Sequence, residues 1–154
     1  MSRKLLQTMH AIAGIIAPLL ILAFFTATLV AEISGSFTMI AWVKRDIAWG
    51  VLLLLPTMAV LGISGAKLAG HQQRGLVAIK KKRMVLIAAN GVFVLVPCAL
   101  SLYWLASQGL FDAKFYAIQA LELVAGPVNL ALIVLSIRDG LTLSGRLTPK
   151  KAAS

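Results

Sequence analysis

The chain has one cysteine, two histidines and five acidic residues among 154 positions, and each shortage excludes something. A lone thiol, Cys98, cannot close an intrachain disulfide or build a cysteine cage for a metal. Neither histidine sits in a His-x-x-x-His or His-x-x-Glu spacing, so zinc and di-iron chemistry has no ligand set. There is no glycine-rich phosphate loop ending in Lys-Ser/Thr, no Gly-x-Ser-x-Gly elbow and no Cys-His pair. Charge is also scarce, at 13% of residues against roughly 25% in soluble domains.

Hydrocarbon takes the place of charge. Hydrophobic residues make up 60% of the chain and the mean hydropathy is +0.92. Soluble domains are only about 45–50% apolar. A disordered chain and a water-soluble globule are both excluded, and the composition is that of an integral membrane protein of one domain. The net charge of +10 would suggest nucleic acid in a soluble protein. Here the basic residues flank apolar runs, which points to anionic lipid headgroups and to no nucleic-acid partner.

A spanning helix needs about 20 mostly apolar residues. Four runs qualify: Leu5 to Ala31, Ile47 to Ala66, Met84 to Phe111, and Phe115 to Ile137, the last interrupted only by Glu122. They lack the period-two alternation of a membrane barrel, and an open sheet would leave backbone groups unsatisfied in lipid. The expected fold is therefore all-α, a four-transmembrane-helix antiparallel bundle, with helices near 5–31, 47–69, 84–107 and 114–137. Residues 1–140 form the one domain and 141–154 a polar cytoplasmic tail.

Lysine and arginine placement sets the orientation. Arg3, Lys4, Lys67, Arg74, Lys80, Lys81, Lys82, Arg83, Arg138, Arg146, Lys150 and Lys151 fall on one side, and Lys44, Arg45 and Lys114 on the other, 12 against 3. The positive-inside rule places both termini and the middle loop in the cytoplasm of a bacterial inner membrane. Arg3 and Lys4 would also suit a signal peptide. The uncharged run that follows, 27 residues, exceeds the roughly 7–15 of such a segment, so helix 1 is expected to be retained. Three connections result: an outer loop from Glu32 to Asp46, an inner loop from Ala69 to Lys82 ending its helix near Gly70, and a short outer turn from Ser107 to Lys114. The run Lys80, Lys81, Lys82 and Arg83 would face lipid phosphates, and Asp139-Gly140 would end the last helix.

Within the bilayer, small residues let helices approach. Ala13, Gly14 and Ala17 on helix 1 and Gly62, Gly65 and Ala66 on helix 2 predict a tight pair. Each span carries one proline (Pro18, Pro56, Pro97 and Pro127). Proline lacks an N–H and crowds the carbonyl four residues earlier, which predicts kinks.

Glu122 is the most expensive residue. A charge near the bilayer centre costs about 2.5–3.5 kcal/mol on insertion scales. Gln119, Glu122, Gly126 and Asn129 share one helical face, and Asn90 on the neighbouring helix falls at a depth where it could bond Asn129. This face reads as a ligand or proton site, or as the contact for a partner helix or a second copy of the chain. His10 and His71, at matching depths on helices 1 and 2, could alternatively hold a haem b iron from both sides, in an electron-transfer protein. The layout resembles small four-helix cytochromes b in architecture alone. Small multidrug transporters also carry a single membrane glutamate, but in the first helix rather than the last. No catalytic set surrounds Glu122. The first reading is therefore an accessory or transport-type subunit that binds a partner helix or small ligand.

Overall fold

A computed structural model describes residues 2–70 and 74–145. Its helices are α1 (Arg3–Ser34), α2 (Phe37–Ala69), α3 (Gly75–Asn90), α4 (Val96–Ser107) and α5 (Ala113–Leu143), with no strand among the described residues. A single π-helical turn, Gly91–Leu95, joins α3 to α4, so Gly75–Ser107 is one span. Four helices are thus long and apolar enough to cross a membrane. A helix satisfies its own backbone groups, which is what a segment in lipid requires. The chain is that of a multi-pass integral membrane protein.

Helix boundaries differ from expectation where charge was taken to end an apolar run. There is no loop from Glu32 to Asp46. α1 continues to Ser34, and Gly35 turns left-handed at φ 65° with its N–H bonded to the Glu32 carbonyl. Ser36 then caps α2 by accepting from the Met39 N–H at 3.3 Å. Gly35 and Ser36 suffice as a stop and a start, so Lys44, Arg45 and Asp46 all lie within α2. α2 does stop at Gly70, but α3 begins at Gly75, so the basic run 80–83 is helical and not part of a loop. α5 passes through Asp139-Gly140 to Leu143. The tail beyond residue 145 lies outside the described residues.

Proline has its clearest effect in the third span. Pro97 has no N–H and crowds the Phe93 carbonyl. The π turn comes directly before it, with the Val96 N–H bonding the Gly91 carbonyl. Such a bulge absorbs a residue whose carbonyl has no partner in the regular ladder.

The spans form a ring in chain order. α1 packs on α2 and α5, α2 mainly on α4, and α5 on both α3 and α4. The backbone of α1 does not closely approach α3 or α4, nor that of α2 approach α5, and these helices meet only through side chains. Two of the expected small residues serve close approach: Gly14 faces Leu61, and Gly65 faces His10 and Met84. A third, Gly50, receives the ring of Phe24, whose Cε1 would lie 2.7 Å from a Cβ there. An apolar layer of Ala31, Ile40, Leu102, Leu105, Ala106 and Phe115 closes one end of the ring, and Ile21, Ile87 and Ile133 form a second layer deeper in the bundle.

Candidate functional site

Between these layers sits a lysine that the surrounding periodicity would assign to a core residue. Ile40, Lys44, Ile47 and Val51 are the buried face of α2. Lys44 is only 1% exposed. Its Nζ donates to Glu122 Oε2 at 2.5 Å and to Thr28 Oγ1 at 3.3 Å. Since the backbones of α2 and α5 do not approach closely, the lysine reaches across the ring to its partner. Its long aliphatic stem fills the interior while the ammonium meets its counter-ion, the arrangement such side chains adopt when only the tip is polar.

Glu122 holds a second bond, Gln119 Nε2 donating to the same Oε2 at 3.2 Å. Glu32 stands one helical turn beyond Thr28 on α1, and the charges of Lys44 and Glu122 both act on it. Its Oε1 is buried with no partner, as are Oε1 of Gln119 and Oδ1 of Asn129. The expectation of an isolated Glu122 is therefore corrected: the acid has a buried lysine and a second carboxyl beside it.

A cavity of about 520 Å³ runs inward from this cluster. All four spans line it, with Phe24, Phe25 and Thr28 from α1, Val51 and Met58 from α2, Val92 and Ala99 from the third span, and Glu122, Gly126 and Asn129 from α5. Most of the wall is apolar. The size is typical of pockets that enclose small organic ligands. Leu55, Ile63 and Val92 belong to the wall and are also among the exposed apolar residues, so the cavity is not sealed.

The two asparagines are not bonded to each other as expected. Asn90 Nδ2 donates to the Ala125 carbonyl at 3.0 Å. Asn129 is 1% exposed and lines the cavity. The π turn brings the Gly91 backbone, not the Asn90 side chain, beside Asn129.

A second polar cluster occupies the other end of the bundle. Arg83 Nη1 donates to Asp139 Oδ2 at 2.5 Å, and Asp139 is 3% exposed. Lys80 Nζ packs over Gly140, and Lys81 Nζ donates to the Gly70 carbonyl at 3.0 Å. Of the four basic residues expected to face lipid phosphates, only Lys82 is fully exposed, and Arg83 turns inward to a buried acid. His10 Nδ1 shares a 2.9 Å hydrogen bond with Ser64 Oγ, whose hydroxyl donates to the Val60 carbonyl. The haem arrangement also required His71, which lies outside the described residues. Among the described residues no group of three or more His, Cys, Asp or Glu is placed to hold a metal ion.

Comparison with protein-family models, curated proteins and solved structures finds no match. Function has to be argued from this site. It contains no nucleophile paired with a general base. It offers a mostly apolar wall and one polar end at Glu122, whose carboxylate holds the buried Lys44 ammonium.

Lys44, Thr28, Glu32 and the Arg83–Asp139 pair were not singled out from sequence. The missed signal was periodic. Lys44 falls on the stripe Ile40, Ile47, Val51, and Asp139 on the stripe Asn129, Ile133, Ser136. Both stripes are spaced for a buried helix face.

Proposed function

We propose that this chain is an inner-membrane protein of bacterial type that binds a small lipid-soluble ligand inside its bundle, acting as a transport-type or accessory subunit and not as an enzyme. The spans run antiparallel, with both termini and the Lys80–Arg83 region at the cytoplasmic face. The positive-inside rule supports this orientation. Lys44 is committed to Glu122 and Arg45 to its neighbour Asp46, which sharpens the asymmetry. Lys82, together with the ends of the neighbouring basic side chains, meets anionic headgroups.

The observation that carries the ligand reading is the cavity, lined by all four spans and polar at Glu122, which is held by Lys44. An amphiphile arriving from the bilayer would keep its apolar body among Phe24, Val51 and Met58 and its polar head at Glu122. The pair is worth its insertion cost only if the bundle needs a polar group there, and an apolar pair could otherwise fill the space at no loss of stability. A partner helix or a second copy of the chain docking at this face is the competing use.

The test is photolabelling in lipid nanodiscs with long-chain alkyl diazirines bearing a hydroxyl or an amine head. Labels should concentrate on cavity residues such as Met58 and Val92. Gly62 lines the cavity and has open space where a Cβ would stand, so Gly62→Phe should place a ring in the cavity and suppress those labels. Labelling by both probes confined to lipid-facing Leu52 and Phe93, unaffected by Gly62→Phe, would refute the reading.

A further inference from the structure

Glu122 is the one charged residue in the cavity wall. Lys44 balances it from behind, so the cavity calls for neither a cation nor an anion. Both hydrogen bonds to Glu122 fall on Oε2, from Lys44 and from Gln119. Oε1 is left to accept a further donor, and an ionised carboxylate has acceptors only. Thr28, at the same end, already accepts from Lys44.

Asn129 is the other polar point of the wall. It is 1% exposed, and its Oδ1 is buried with no partner. Asn90, by contrast, gives its Nδ2 to the Ala125 carbonyl. A buried polar atom left unbonded is costly, and native proteins place a partner against it. No bond holds the Asn129 amide through Oδ1, and the last torsion of asparagine has a broad well, so the amide can turn its oxygen to the cavity. The neighbouring backbone leaves room there. Gly126 stands on the same wall between Glu122 and Asn129, and a Cβ on Gly91 would lie 4.0 Å from Asn129 Nδ2. No side chain of either glycine blocks the way from Glu122 to Asn129.

Glu122 and Asn129 stand seven residues apart on α5, about two helical turns or roughly 10 Å along the axis. Phe24, Val51 and Met58 are among the apolar residues of the wall, and they suit hydrocarbon. The cavity therefore holds two acceptors at a fixed spacing, within apolar walls and with no charge left over. Hydroxyl groups complement both acceptors without bringing a charge.

Resting on the ligand-binding reading above, we propose that the cavity selects uncharged lipophilic molecules with two hydroxyl groups at this spacing, one donating to Glu122 Oε1 and the other to Asn129 Oδ1. Asn129 is the residue that distinguishes such a molecule from a simple long-chain alcohol.

The measurement compares three alkyl diazirines in nanodiscs at equal membrane concentration. One has a hydroxyl head, the second adds a hydroxyl along the chain about 10 Å from the head, the Glu122–Asn129 spacing, and the third has an amine head. The two-hydroxyl probe should label Met58 and Val92 about threefold to tenfold above the one-hydroxyl probe, the scale of one neutral hydrogen bond. The amine should label no more than the one-hydroxyl probe. Asn129→Leu and Asn129→Ala break no bond to Oδ1 within the chain, and each should make the one- and two-hydroxyl probes label equally. Monodispersity in detergent checks that the variants form the bundle, and the wild-type comparison decides if neither does. Equal labelling by the one- and two-hydroxyl probes in the wild type, a preference that survives either folded variant, or an amine that labels above the one-hydroxyl probe overturns the inference and leaves the cavity as a binding site. No cavity labelling by any of the three removes the ligand-binding reading as well.

Discussion

Replacing Lys44 by methionine keeps about the length of the aliphatic stem and removes the ammonium with its charge. At 2.5 Å and an effective dielectric of about 20, the direct attraction between the two charges is about 7 kcal/mol. Taking each ion from water costs several kcal/mol, so the pair as a whole contributes little to stability. The asymmetry appears on removal of one partner. Lys44→Met leaves Glu122 buried with only the Gln119 amide to bond it, and strips Thr28 of its donor. The expected loss is about 3–5 kcal/mol, as for other buried pairs that lose one member. The double replacement Lys44→Met with Glu122→Leu removes both charges, and should return to within about 1 kcal/mol of wild type. Reversible unfolding in mixed micelles, followed by far-UV circular dichroism, gives the four corners of a double-mutant cycle. A Lys44→Met loss below about 1 kcal/mol, or a double variant as unstable as the sum of the singles, would refute the buried pair.

Two further perturbations probe the rest of the bundle. Asp139→Ala should destabilise it by about 1.5–3 kcal/mol by leaving the half-buried Arg83 without its acceptor. Arg83→Leu in the same chain should recover most of this in the same unfolding assay. Gly50→Ala should lower stability by about 1–3 kcal/mol because the new Cβ meets the Phe24 ring, and Phe24→Leu should relieve it. A gain in stability from Gly50→Ala alone, as helix propensity by itself would give, would show that α1 and α2 are further apart than described.

The contrast between Lys44 and Glu122 shows where sequence reasoning reaches. Runs without charge reveal which stretches can lie in lipid, and all four were found because hydropathy depends on composition over about 20 residues. Helix ends depend on single residues. Gly35 and Ser36 make the turn between α1 and α2, and a charge-free window stops short of them because Glu32, Lys44, Arg45 and Asp46 crowd that region. Once Lys44 is assigned to a loop, Glu122 looks alone. The pairing itself could not be read, since it joins residues 78 positions apart on helices whose backbones do not approach closely. The same holds for Arg83 and Asp139, 56 positions apart. The Asn90–Asn129 bond failed for a local reason: the π turn before Pro97 shifts the register just after Asn90. That shift brings the Gly91 backbone to Asn129, while the Asn90 side chain reaches the Ala125 carbonyl.

The two polar clusters also divide the bundle unequally. The cavity meets Glu122 and Asn129 and extends past Ile21 to Gly62 and Ile63 of α2. Arg83, Ser136 and Asp139 are not part of its wall.

Everything rests on four crossings with the basic ends on one side. Cys98 is the sole cysteine and is buried, so a single introduced thiol reports with little background. Gln108→Cys, in the turn between α4 and α5, and Arg74→Cys, at the start of α3, should be modified by a membrane-impermeant maleimide from opposite faces of sealed vesicles. Gln108→Cys is expected to react from the periplasmic side and Arg74→Cys from the cytoplasmic side. Reaction of both thiols from the same face would contradict the crossings, and with them the cavity's place within the bilayer.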